Sequence, residues 1–319
     1  MTIRFRAASV ASIALVFGLG AVGGCGKYSY SNLKAVKAFK DGNTLYQQED
    51  YKRATERYEA ALASNPDLGQ AYFFLANSYD EQYKPAKAGD PQNQGYIEKA
   101  IDNYQKAAQR DPDPKMKKLA LEYLAAAYGS DKLNDPAKAE PVYQQIIQVE
   151  PNEPANYVPL AKLYEEAGRY DEAEAQLVKA RDHKPNDPAV YTNLAAYYNR
   201  QGDFPKTIEA LQKAADLNPN NPEGYHLIGT YYWDKARKDF RLSPADQKDY
   251  ILKGLAMEDK ALSLNPEYME AMTYKNILLR MEANTEKDKK KQDELLKQAD
   301  ELRNKAMELQ KKKASSGAK

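Results

Sequence analysis

The sequence predicts an all-α fold, a solenoid of antiparallel helix pairs, and three observations predict it. X-Pro steps close alanine-rich runs at a regular beat: Asn65-Pro66, Asp111-Pro112, Glu150-Pro151, Lys184-Pro185, Asn218-Pro219 and Asn265-Pro266. The step from Pro151 to Pro185 equals the step from Pro185 to Pro219. Other positions fall into columns at the same spacing: Tyr157 with Tyr191 and Tyr225, Leu160 with Leu194 and Ile228, Ala161 with Ala195 and Gly229, Tyr164 with Tyr198 and Tyr232. A fixed period of this length, built from two helices, belongs to an array whose units bury their apolar faces against one another.

Within one unit, Tyr157, Leu160, Ala161 and Tyr164 stand at i, i+3, i+4 and i+7, the apolar stripe of an amphipathic helix. Gly168 ends that helix, as glycine does where positive φ is needed. A second stripe follows at Ala173, Leu177 and Ala180 and stops at Pro185. In these residues the chain resembles the tetratricopeptide repeat family. The first unit matches at Gly42, Ala54, Tyr58, Ala61 and Pro66, the second at Tyr72, Leu75, Ala76, Tyr79, Ala100, Tyr104, Ala107 and Pro112. Six or seven units cover 35–283, and the resemblance implies a right-handed superhelical solenoid.

Residues 1–24 read as a lipoprotein signal peptide. Arg4 and Arg6 form its basic start and Val10 to Val22 its apolar core. The run Val22-Gly23-Gly24-Cys25 then resembles the lipobox of bacterial lipoproteins, which implies lipidation of Cys25. Cys25 is the only cysteine, so an internal disulfide framework is excluded. Gly26, not Asp, follows it, and the same resemblance implies passage to the outer membrane. Residues 25–34 form the lipidated cysteine and a tether. Two other readings stay open: Ala21-x-Gly23 as an ordinary cleavage site that leaves a soluble protein, and the uncharged run from Ala7 to Gly26 as a spanning helix.

Two units are longer than the rest. The steps from Pro66 to Pro112 and from Pro219 to Pro266 exceed the regular period, placing loop insertions near 83–95 and 233–248. The first contains Pro85, Gly89, Pro91 and Gly95 and reads as a loop. Insertions in such arrays gather on one face, either as binding elements or as tolerated surface loops. From 284 to 313 the composition turns to Lys, Glu and Gln, with Leu295, Ala299, Leu302, Ala306 and Leu309 on one face. This is the C-terminal capping helix that an array requires. Residues 314–319 are expected to be a disordered tail.

Removing Arg4 and Arg6 from 47 basic residues leaves 45 against 46 acidic ones, so no net positive field attracts nucleic acid. The two histidines, His183 and His226, lie in different units and lack the spacing of a metal pair. No phosphate-binding loop or nucleophile elbow is present. The expectation is no metal, no cofactor and no enzyme.

The resemblance also implies a concave groove lined by the first helix of each unit, at positions the core stripe leaves unused. These are Phe39, Asn43, Tyr46, Phe73, Phe74, Asn77 and Asp80, then Thr192, Asn193, Asn199, Arg200, His226, Thr230 and Trp233. Phe39-x3-Asn43 recurs one period later as Phe73-x3-Asn77. A ring beside a carboxamide suits an extended peptide, because the amide both donates to and accepts from a backbone. The other reading is that the two rings seal neighbouring repeats. The clamp that grips acidic chaperone C-termini in some family members is absent, since Phe39, Phe74, Leu119 and Tyr123 occupy its polar columns. The expected function is a membrane-anchored scaffold of the bacterial envelope that binds a protein or peptide in this groove. The alternative is a soluble secreted accessory to a cell-wall-acting enzyme, or such an enzyme itself.

Overall fold

Proline starts many of these helices, because its missing N–H is one that a helix N-terminus leaves unpaired anyway. Asp90-Pro91, Asp135-Pro136, Asp187-Pro188, Asn221-Pro222 and Ser243-Pro244 each put a capping side chain just before that proline. The computed structural model of the protein describes residues 30–316, which form fourteen α-helices and no strand. The expected signal peptide, Cys25 and residues 317–319 of the expected tail lie outside the described residues. Among those described, no helix is long and apolar enough to cross a membrane.

The chain divides into two units near Ala127. The first holds α1 (Tyr30–Gln47), α2 (Tyr51–Ser64), α3 (Gly69–Gln82), α4 (Pro91–Arg110) and nearly all of α5 (Pro114–Tyr128), with Asp131–Leu133. α1 pairs with α2 and α3 with α4, and α2 packs on α3. Small residues let the helices close up. A β-carbon on Gly42 would stand 2.7 Å from the ring of Tyr58, which is fully buried.

The second unit holds α6 (Pro136–Val149), α7 (Tyr157–Glu166), α8 (Tyr170–His183), α9 (Pro188–Arg200), α10 (Phe204–Leu217), α11 (Pro222–Lys238), α12 (Pro244–Leu264), α13 (Met269–Thr285) and α14 (Lys289–Ser316). The pairs α7–α8, α9–α10, α11–α12 and α13–α14 follow one another, each second helix packing on the next pair's first. Leu160, Leu177, Leu194, Leu211 and Ile228 run through one core, so the columns seen in the sequence are its layers. Leu295 and Ala299 of α14 join a second core with Leu278, Leu279 and Ala283. α14 therefore covers α13 as the second helix of a last pair, and it runs on to Ser316, past the point where a tail was expected.

The turn between paired helices has a recurring backbone. Asn134, Gly168 and Gly202 follow one another at the repeat period and all have positive φ, at 49°, 73° and 76°. Glu49, with φ of 60°, fills the equivalent place between α1 and α2.

Three further boundaries differ from the sequence expectation. α1 starts at Tyr30, inside the expected tether. The first insertion is mostly helical: a 3₁₀ turn at Pro85–Lys87 is followed by α4 from Pro91, whose cap Asp90 accepts from the Asn93 N–H at 2.9 Å. The second insertion lengthens α11 to Lys238 and starts α12 at Pro244, leaving only 239–243 as a turn. Pro91, counted in the sequence as a loop signal, opens a helix, and so does Pro244.

Candidate functional site

In the first unit the residues assigned to a groove are largely used internally. Phe73 is 1 % and Asn77 2 % exposed. Phe73 packs edge-on against Phe74 and Tyr123, with ring centroids 5.4 and 5.3 Å apart. Phe39 lies 5.7 Å from both Tyr58 and Phe74. The amides are engaged as well: Tyr58 donates to Asn43 Oδ1 at 2.8 Å and Tyr46 to Asn77 Oδ1 at 2.6 Å, while Asn77 also bonds the Tyr123 hydroxyl. Asp80 accepts from Tyr104 at 3.1 Å and from Lys132 Nζ at 2.5 Å. Burial pushes the Tyr46 and Tyr58 phenols well above their ordinary value, so both stay protonated donors. The expectation that Phe73 and Asn77 face a peptide is therefore corrected. A long tyrosine from a neighbouring helix takes up each amide, and the rings seal the repeats.

In the second unit the picture is different. Asn193 and Arg200 of α9 line an open groove of about 530 Å³ shared with α7 and floored by Tyr170 and Leu177 of α8. Glu165 of α7 holds Arg200 in a fork, Nε to Oε1 and Nη2 to Oε2 both at 2.8 Å, and Gln201 adds a bond at 3.2 Å. The guanidinium keeps the Glu165 carboxyl below the usual carboxylate range. Both residues stay ionised at neutral pH, so the groove carries a fixed dipole beside an apolar floor. Asn193 and Lys162 add further polar groups on its walls.

Asn199, one position before Arg200, faces the next crevice, of about 380 Å³, with Phe204, Tyr231 and the turn after α11. The two crevices correspond through the repeat: Glu165 and Asn199, Tyr170 and Phe204, and Arg200 and Asp234 are each one period apart. The other assigned positions do not join either one. Trp233 packs edge-on against Tyr274 at 5.1 Å and under Arg237 at 4.8 Å. His226 is turned to Glu258, at 3.1 and 3.0 Å from its two oxygens. Thr192 and Thr230 donate to carbonyls of their own helix. Sequence reasoning missed Glu165, Tyr170 and Phe240, although the column shared with Asn199 pointed to Glu165. Among the described residues no group of three His, Cys, Asp or Glu is placed to hold a metal.

Three family models, each described as tetratricopeptide repeat, match residues 39–115, 132–197 and 188–221, together just over half of the chain. No curated protein matches the sequence significantly. Among solved structures, the C-terminal part of a TPR repeat-containing protein from Cytophaga hutchinsonii superposes with a TM-score of 0.53 at 18 % identity, over 85 % of this chain and 98 % of that one. A tetratricopeptide repeat protein from Parabacteroides merdae gives 0.44 at 15 % identity, over 84 % and 99 %. YrrB, described as a TPR protein with an unusual peptide-binding site, gives 0.40 at 20 % identity, over 60 % and 91 %. The repeating helix pairs, the recurring turn and the matches along both units lead to one assignment: the chain belongs to the tetratricopeptide repeat family.

Proposed function

We propose that this protein is a membrane-anchored scaffold of the bacterial envelope that holds a segment of a partner protein or peptide in the groove between α7 and α9. The observation that carries the binding reading is the fixed Arg200–Glu165 fork set beside Asn193 and over the apolar floor of Tyr170 and Leu177. A preorganised ion pair and a free-standing amide give an extended backbone both donors and acceptors, while the floor receives one apolar side chain. The proposal assigns the chain no catalytic step and no cofactor.

Anchoring is supported by the sequence around Cys25, whose basic start, apolar core and Gly-Gly-Cys step resemble a lipoprotein leader. Gly26 after it supports the outer membrane, with the repeats facing the periplasm. One acyl chain holds a protein only marginally, so a multiply acylated cysteine is the form that fits stable attachment.

The two halves are tested separately. Labelling with a palmitate analogue is expected for the wild type and lost in Cys25→Ser; an unlabelled wild type defeats the anchor. In-cell crosslinking is expected to capture one defined partner that an Asn193→Ala, Arg200→Ala variant loses. A partner retained by that variant moves binding out of this groove.

A further inference from the structure

The turn after α11 carries the most exposed large hydrophobic side chain among the described residues, Phe240, at 95 %. The turn is built to hold it there. Asp239 accepts from Lys235 Nζ at 2.8 Å and from Arg241 Nε at 2.9 Å, and its carbonyl takes the Leu242 N–H at 3.2 Å. Gln247 of α12 ties back to the Ala236 carbonyl at 3.0 Å. The turn sits where it does because α11 has 17 residues against 13 in α9 and 10 in α7.

Phe240 thereby lines the crevice between α9 and α11 together with Phe204 and Tyr231. The groove between α7 and α9 has no counterpart to it. Around the turn, Lys235, Arg237, Lys238 and Arg241 outnumber the carboxylates of Asp234 and Asp239. Those carboxylates are already engaged, Asp234 by Lys238 at 2.9 Å and Asp239 by Lys235 and Arg241. Lys238 and Arg241 remain 62 % and 79 % exposed, so each can also meet an incoming anion.

We propose that this crevice is a second docking site, for an acidic segment of a partner protein. An apolar side chain of that segment enters beside Phe204, Tyr231 and Phe240, and its carboxylates meet Lys238 and Arg241. A flat anionic surface would engage Phe240 and the cations but leave the crevice unused. The site is separate from the groove between α7 and α9 and does not require that groove to be occupied.

Fluorescence anisotropy of the full-length chain with a labelled probe peptide, a phenylalanine flanked by aspartates, tests the proposal. The probe is expected to bind more weakly as salt rises. Phe240→Ala is expected to weaken it about tenfold, the factor equivalent to ~1.4 kcal/mol of lost apolar burial. Lys238→Gln with Arg241→Gln weakens it further and flattens the salt dependence. Because Phe240 stands in solvent, its loss leaves the fold intact, which circular dichroism verifies. Absence of binding, equal binding of a lysine-flanked probe, or an unaffected Phe240→Ala variant overturns the proposal. Co-sedimentation with phosphatidylserine vesicles that depends on Phe240, without probe binding, overturns it in favour of a lipid surface.

Discussion

Gly229 of α11 and Glu258 of α12 meet at a distance that only glycine permits: a β-carbon on residue 229 would stand 2.6 Å from Glu258 Oε1. The carboxylate is fully buried and held in place by His226, with its two oxygens at 3.1 and 3.0 Å. Gly229→Ala is expected to cost roughly 1–3 kcal/mol, as overpacking in a filled core does. Combining it with Glu258→Ala should be less than additive, because the clash then has no partner. Thermal melts of the two single variants and the double variant measure the coupling; full additivity would contradict it.

The same carboxylate gives a pH dependence of definite sign. Burial raises the Glu258 pKa above its ordinary 4.5, and the His226 hydrogen bond offsets part of the rise. The folded state therefore holds this proton more tightly than the unfolded chain. The contribution is fully present below the unfolded value of 4.5 and is lost as pH rises through the folded pKa. Carboxylates held low, such as Glu165 and Glu140, act in the opposite direction, so the difference between wild type and Glu258→Gln isolates the term. The stability of the variant relative to wild type is expected to increase from pH 4.5 upward; a difference that stays flat with pH refutes the assignment.

Glu49 occupies the left-handed turn position that Gly168 and Gly202 fill elsewhere. A non-glycine residue there costs about 1–2 kcal/mol, against the roughly 0.5–1 kcal/mol of extra chain entropy that glycine loses on folding. Glu49→Gly is therefore expected to stabilise the protein by about 0.5–1 kcal/mol, and Gly168→Ala to destabilise it by about 1 kcal/mol. Chemical denaturation of both variants checks the pair of opposite signs.

Tyr46 and Asn77 are partners within the first unit, 2.6 Å apart. Tyr46→Phe leaves one acceptor of a buried amide unmatched and should cost about 1–3 kcal/mol. Adding Asn77→Leu removes the unmatched group and should recover part of that loss. Partner capture in cells is expected to be the same for wild type and for correctly folded Asn43→Ala, a check that these amides serve packing and not recognition.

The fold was readable because its signals are local. Each X-Pro step, each stripe and the turn glycines act within one or two helices, and the columns repeat them. What could not be read depended on partners far along the chain. Asn43 and Asn77 look like free amides until Tyr58 and Tyr46 arrive from 15 and 31 residues away. Glu165 resembles an ordinary i, i+4 partner of nearby cations, yet its fork closes on Arg200, 35 residues on. Asn193, Asn199 and Arg200 were identifiable because helical period alone places them off the core stripe of α9. Pro91 misled for a physical reason: proline breaks a helix interior but opens an N-terminus equally well.

Asn199 and Arg200 are adjacent in sequence but serve different crevices, so α9 is the ridge between two recesses. An α-helix with its side chains is about 10–12 Å across. An extended chain advances about 3.3–3.6 Å per residue, so three or four residues bridge that ridge. A single ligand strand laid across α9 would thus be read like a ruler, with its two anchoring side chains three or four positions apart. Spacing, more than composition, would then separate a true ligand from the many polar peptides around it.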